Sequence, residues 1–153
     1  MPHLKFSVET NKEKTARAQA YELHVSPKHC REICRAIRRM KVERAKAFLE
    51  NVLVGKESVP FRRHNRDVGH RSGQRGWPSG RYPRNATRDI LKLVKEVESN
   101  AEEKGLDADY LRIVHAGTKK GRTIQGIMPR AMGRATPKNT ETVTVEIVVQ
   151  EVL

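Results

Sequence analysis

Near the end of the chain Val143, Val145, Ile147 and Val149 alternate with Thr142, Thr144 and Glu146. A period of two among β-branched residues predicts a strand with one buried face. Tyr21, Leu23 and Val25 alternate in the same way with Glu22 and His24, and a further strand is expected around Tyr110–His115. Between these the period changes. Ser26-Pro27 reads as an N-cap with proline at the first helical position, and Cys30, Ile33, Cys34 and Ile37 follow at i, i+3, i+4 and i+7. After a break near Met40–Lys41, Ala45, Phe48, Leu49, Val52 and Leu53 mark a second helix, closed by Gly55 and Pro60. A third is expected to start from a cap at Asn85 or Thr87. It carries Ile90, Leu91, Val94, Val97 and Ala101 inward, presents an acidic face towards Glu102–Glu103, and ends at Gly105. The predicted fold is α+β: three helices packed on a small three-stranded antiparallel sheet, with a long protruding β-hairpin.

Two stretches lack either period. Residues 61–84, FRRHNRDVGHRSGQRGWPSGRYPR, hold four glycines and two prolines and read as a basic loop insertion. Residues 117–139 join two strand patterns through a segment with no Asp or Glu, and read as an extended hairpin arm. Ten residues a side at ~3.3 Å each would carry its tip roughly 30 Å or more from the body. A ribbon of that length is marginal alone, so arm and loop are expected to be largely disordered in the free protein and ordered by a partner.

Composition changes this picture mainly through where the charge falls. The chain has 153 residues, one domain's worth, with 37% apolar, 5% aromatic and 32% charged residues and a formal net charge of +13. Residues 61–84 carry seven Lys/Arg against one acid, and residues 110–140 carry seven against none. Those balances, +6 and +7, sum to the whole excess of +13, so the remaining segments cancel. Concentrated blocks of this kind neutralise a polyanion, since each paired phosphate releases condensed counterions. No run of about 18 apolar residues exists to span a membrane, and the N-terminus lacks the apolar core of a secretory signal. Cys30 and Cys34, four apart on one helical face, suit two buried hydrophobes in a reducing compartment better than a disulfide.

Other constellations carry less. His29, Cys30 and Cys34 fall short of the four ligands of a structural zinc site, and His64 and His70 belong to another segment, so no metal is expected. Gly73–Gly76 spells GXXG without flanking helices, and a helix-turn-helix fits poorly because the basic excess lies mainly in the loop and arm rather than on a second helix. Paired catalytic carboxylates, a phosphate-binding loop and a nucleophile elbow are all missing, so neither an enzyme nor a cofactor is expected. Small residues in the arm, Gly126, Ala131, Gly133 and Ala135, let backbone approach a crowded surface beside forked guanidinium donors. Trp77, Tyr82 and Phe61 lie among arginines and could stack on unpaired bases, as in RNA recognition; equally, Trp77 could pin the loop to the body.

Several motifs together resemble a known family. Val25-Ser26-Pro27-Lys28 is similar to the entry to the first helix of large-subunit ribosomal protein twenty-two, called seventeen in eukaryotic naming. Met128-Pro129-Arg130-Ala131-Met132-Gly133-Arg134-Ala135 resembles the most diagnostic stretch of its hairpin. VPFRRHNRDVGH and GWPSGRYP resemble the insertion found in its archaeal and eukaryotic forms. The resemblance covers roughly residues 5–153.

It implies a structural constituent of the large ribosomal subunit in the cytoplasm. The body would lie near the peptide exit, with the hairpin crossing several ribosomal RNA domains to line the exit tunnel beside ribosomal protein four. The implied partners are large-subunit rRNA, neighbouring ribosomal proteins and the nascent peptide. The implied rRNA-binding residues are Lys28, Arg31 and Arg35 on the first helix, and Arg62, Arg63, Arg66, Arg71, Arg75, Trp77, Arg81 and Arg84 around the loop. Lys119, Lys120, Arg122, Arg130, Arg134 and Lys138 complete the set on the arm. The implied tunnel residues are Ile127, Met128, Pro129, Arg130, Ala131, Met132, Gly133 and Arg134. The returning strand departs from the bacterial pattern: Lys138-Asn139-Thr140-Glu141-Thr142 is nearly neutral where bacterial members are strongly basic. A free RNA-binding regulator or RNA chaperone is the alternative reading of the same basic segments.

Overall fold

The structure is a computed structural model that describes residues 5–11, 13–74 and 76–152. Its main sheet has three antiparallel strands, β1 (Thr15–Leu23), β7 (Thr140–Glu151) and β4 (Leu111–Ile124), with β7 in the centre. Three helices cover one face: α1 (Pro27–Ile37), α2 (Val42–Val54) and α3 (Arg84–Glu103). Between α2 and α3 lie two short paired strands, β2 (Val59–Pro60) and β3 (Gly80–Arg81). The hairpin continues beyond the main sheet as β5 (Ile127–Pro129) paired with β6 (Ala135–Pro137).

The helix stripes bury as their spacing requires. Cys30, Ile33, Cys34 and Ile37 of α1 are all buried, both thiols free, and Val42, Ala45, Leu49 and Val52 of α2 join them. Phe48 and Leu53 are half-buried. On α3 the buried stripe is Ile90, Leu93, Val94, Val97 and Ala101, so Leu93 takes the place expected of Leu91, which packs at the edge. From the sheet, Val143, Val145, Ile147 and Val149 meet them, as the alternation predicts. Each such side chain, fully buried, contributes about 1.5–3 kcal/mol.

Two boundaries and one cap differ from the sequence reading. β1 starts six residues earlier than the Tyr21–Val25 alternation indicates, because its inward residues there are Ala16 and Ala18, too small to stand out in a hydropathy pattern. α3 starts at Arg84 with Pro83 at the N-cap position. Neither Asn85 nor Thr87 caps it; Thr87 lies inside the first turn and its hydroxyl donates to the Pro83 carbonyl. Ser26 does precede Pro27 at the start of α1, but its side chain makes no capping bond.

Both edges of the sheet are closed near the body. The Asn100 amide and Lys104 ammonium of α3 donate to the Arg17 and Thr15 carbonyls of β1. At the opposite edge the α1–α2 turn pairs with β4 through Arg39 N–H to Ile113 O (2.8 Å) and Ile113 N–H to Met40 O (2.9 Å). Beyond that turn β4 and β7 leave the body together, which aims the hairpin outward.

Candidate nucleic-acid interface

The root of the hairpin is organised by one buried acid. A register shift between Ile113 and His115 changes the phase of β4, so that Ala116 joins the core while His115 moves to the opposite face. There Gly117 pairs with Glu146 of β7, and His115 and Lys119 flank it. Glu146 is fully buried; His115 Nε2 lies 2.9 Å and Lys119 Nζ 3.0 Å from its two oxygens, and the Ser7 amide donates at 3.2 Å. Burial alone would raise its pKa, but the bonds from Lys119, His115 and Ser7 outweigh that and hold it below the ordinary carboxylate range. The alternation places Glu146 on a polar outer face; instead that face of β7 is buried from Thr142 to Val148, with residues 5–7 packed near Glu146. Gly117 makes room for the cluster, since a Cβ there would lie 2.7 Å from His115 Nε2.

Along the arm the cations divide into two groups. Lys119 is taken by Glu146, Lys120 by Glu141 (2.7 Å) and Arg122 by Glu22 of β1 (2.8 Å). These pairs neutralise the stem internally. Further out, Arg130, Arg134 and Lys138 are exposed and make no ion pair among the described residues. The tip is a tight reversal in which Arg130 N–H donates to Arg134 O (2.8 Å), with Met132 and Gly133 in the left-handed region at φ 57° and 65°. Arg130 Nε also reaches Thr136 Oγ1 at 3.2 Å. Ile127 and Met132 are 79% and 93% exposed, and Met128, Pro129 and Ala131 are exposed beside them. The tip therefore presents uncompensated positive charge interleaved with bare apolar surface.

The basic loop is more ordered than its composition predicts. Glu32, on α1 and 1% exposed, accepts the backbone amides of Arg63 (2.8 Å), His64 (2.9 Å) and Arg62 (3.1 Å). Its burial works to raise its pKa, yet these three bonds and the nearby His64 lower it. Phe61 is buried, and the Trp77 indole donates to its carbonyl at 2.7 Å, so of the two roles open to Trp77 the geometry supports the pin. The β2–β3 ladder and a His70–Ser79 bridge close the base of the loop. Arg71 stacks over Tyr82 at 5.3 Å and donates to the Gly80 carbonyl.

This fastening leaves the loop cations outward. Arg62, Arg63, Arg66, Arg71, Arg81 and Arg84 are exposed, and so are Lys28, Arg31 and Arg35 on the adjoining surface of α1. Arg66 meets Asp67 at 3.7 Å with both side chains almost fully exposed, a contact worth little in water. Arg75 lies outside the described residues. The interface thus has two parts, a cationic shoulder of α1 and loop and a cationic tip on the arm, separated by a neutralised stem. Sequence reasoning missed the anchoring acids. Glu32 gave one signal, a carboxylate falling beside the apolar stripe of α1; Glu22 and Glu146 gave none, since acids on polar strand positions are ordinary.

A small α+β body that fastens two basic segments internally and exposes their cations defines a protein built to hold an extended polyanion. Residues 18–150 match the family described as Ribosomal protein L22p/L17e, and the chain belongs to that family. It is 57% identical over 152 residues to the large ribosomal subunit protein uL22 of Methanocella arvoryzae, covering 99% of either chain. It is 55% identical to the protein of the same description from Methanothrix thermoacetophila, again over 99% of each. With that of Methanocaldococcus jannaschii it shares 50% over 151 residues, 99% of this chain and 97% of the relative.

Proposed function

We propose that this chain is a non-enzymatic structural constituent of the large ribosomal subunit in the cytoplasm, binding large-subunit rRNA through the α1–loop shoulder and the hairpin. The observation that carries this reading is its identity to large-subunit uL22 proteins over nearly its whole length. The charge geometry supports it: the stem is neutral at home, while the tip and shoulder display cations that only an external polyanion can match. Neighbouring ribosomal proteins are the other partners of such a constituent. The tip, Ile127 to Arg134, pairs exposed apolar and cationic side chains, a surface suited to the wall of the exit tunnel and to contact with nascent peptide.

Sedimentation of the tagged chain from lysate in roughly 0.5 M salt tests the reading. Co-migration with the large subunit is the expected result. Release to the top of the gradient would favour a free RNA-binding regulator or chaperone that uses the same cations only electrostatically.

A further inference from the structure

Beside the first turn of α1 lies a cavity of about 340 Å³ walled by Lys28, His29, Arg63, His64, Arg66 and Arg81, with Phe61 between them. None of these residues is acidic. Of two nearby carboxylates, Glu32 is engaged with three backbone amides, and Asp67 meets the wall residue Arg66 at 3.7 Å with both side chains open to solvent, a contact worth little in water. The cations converge from α1, from the start of the loop and from β3, and buried groups set their positions. Glu32 fixes the backbone from which Arg63 and His64 project. Phe61, 2% exposed, holds the His29 ring edge-on at 5.5 Å and lies 5.9 Å beneath the Arg81 guanidinium, which also donates to the Asp67 carbonyl at 3.2 Å.

We infer that this cavity is a seat for one phosphodiester of an RNA backbone, with Arg63 and Arg81 supplying forked donors and Lys28 and Arg66 the surrounding charge. The inference rests on the rRNA-binding reading and gives it a location. Guanidinium forks match the paired oxygens of a phosphate, and a site with no acid in its wall favours an anion over a neutral ligand. His29 fits the role. Burial, and after it the Arg81 charge, lowers its pKa, and in either charge state the ring carries an N–H that a phosphate oxygen can accept.

The test is filter binding of the full chain to protein-free large-subunit RNA across a range of salt. R63Q/R81Q removes two cations from the cavity. R88Q/K92Q removes two from the exposed side of α3, where both residues face solvent. The cavity pair is expected to make the log K against log salt slope shallower by about 1.5, two contacts at ~0.7–0.9 each, while the α3 pair leaves it unchanged. If the double variant fails to fold, R63Q alone should show about half that change. Equal slopes for the two pairs would overturn the seat and leave RNA binding standing. Inorganic phosphate that displaces the RNA at a concentration matching the RNA's own phosphates would also overturn it, reassigning the cavity to a small free anion. A wild-type chain that binds no RNA would remove the broader reading and this one together.

Discussion

Replacing Glu32 by Gln is the most informative single perturbation of the loop. The side chain keeps its shape but loses its charge and one of its two acceptor oxygens. In the wild type one oxygen serves Arg63 and His64 and the other serves Arg62. Gln can retain the first pair, but its NH₂ then faces the Arg62 N–H, donor against donor. The change weakens two charge-assisted bonds and abolishes the third in a nearly dry site. Hydrogen bonds to a charged group contribute about 1.5–3 kcal/mol each, and they do not add, so a loss of about 2–4 kcal/mol is expected. Trp77, the single tryptophan, reports locally, because its indole bond to Phe61 belongs to the same docked loop. The E32Q protein should show red-shifted emission, faster amide exchange at Arg62, Arg63 and His64, and a lower denaturant midpoint. Unchanged exchange at those three amides, with unchanged emission, would refute the idea that a buried carboxylate holds the loop.

Three further outcomes follow from the same geometry. Glu32 and Glu146 both titrate below the ordinary carboxylate range in the fold, so each contributes stability above the unfolded-state value of ~4.3 and loses it as pH falls through the folded value. Acid titration of Trp77 emission should therefore show loop release below about pH 4, earlier than bulk loss of helical signal; simultaneous loss of both would count against local anchoring. Gly117→Ala pushes a Cβ to 2.7 Å from His115 Nε2 and should cost about 1–3 kcal/mol in chemical denaturation, with a neutral result excluding the tight cluster at the hairpin root. On the arm, R130Q/R134Q should flatten the salt dependence of RNA binding by about 1.5, whereas K120Q/R122Q should change it much less, because those two cations already have protein partners; equal effects would contradict the division of the arm.

The fold was legible where large side chains alternate. The apolar face of β7, the stripe of α1 and most of that of α3 are buried as their spacing predicts, because Val, Ile and Leu leave a strong period; Leu91 and the Thr142–Val148 face of β7 depart from it. It was illegible where small ones do the same work: Ala16 is buried as deeply as any valine and Ala18 is nearly so, yet alanine is common on either face. The phase change in β4 is invisible for another reason. Nothing in Val114-His115-Ala116 announces a shift of register, which arises from how β4 must fit a partner strand distant in sequence. The candidate site divides in the same way. Its cations stood out as charge blocks without acids, so the loop and arm could be read before any coordinates. Which of those cations face outward depends on Glu22, Glu141 and Glu146, and pairing of that kind is a property of tertiary position.

That division also bears on how such an arm can exist in the free chain. Seven cations with no acid between Tyr110 and Thr140 would repel one another along a bare two-stranded ribbon. Placing the neutralising carboxylates on β1 and β7 removes the repulsion from the stem, where the strands must pair, and leaves it at the tip, where the chain only turns. The loop follows the same rule by other means. One carboxylate, Glu32, serves its backbone amides rather than its guanidinium groups, so the acid stabilises the fold without consuming charge needed outside. A reversed assignment, with acids paired to the tip and loop arginines, would produce a more stable free protein and a poorer polyanion ligand. On this argument the exposed cations are a stability cost that contact with RNA offsets, and the buried acids mark where the free chain must already be ordered before that contact is made.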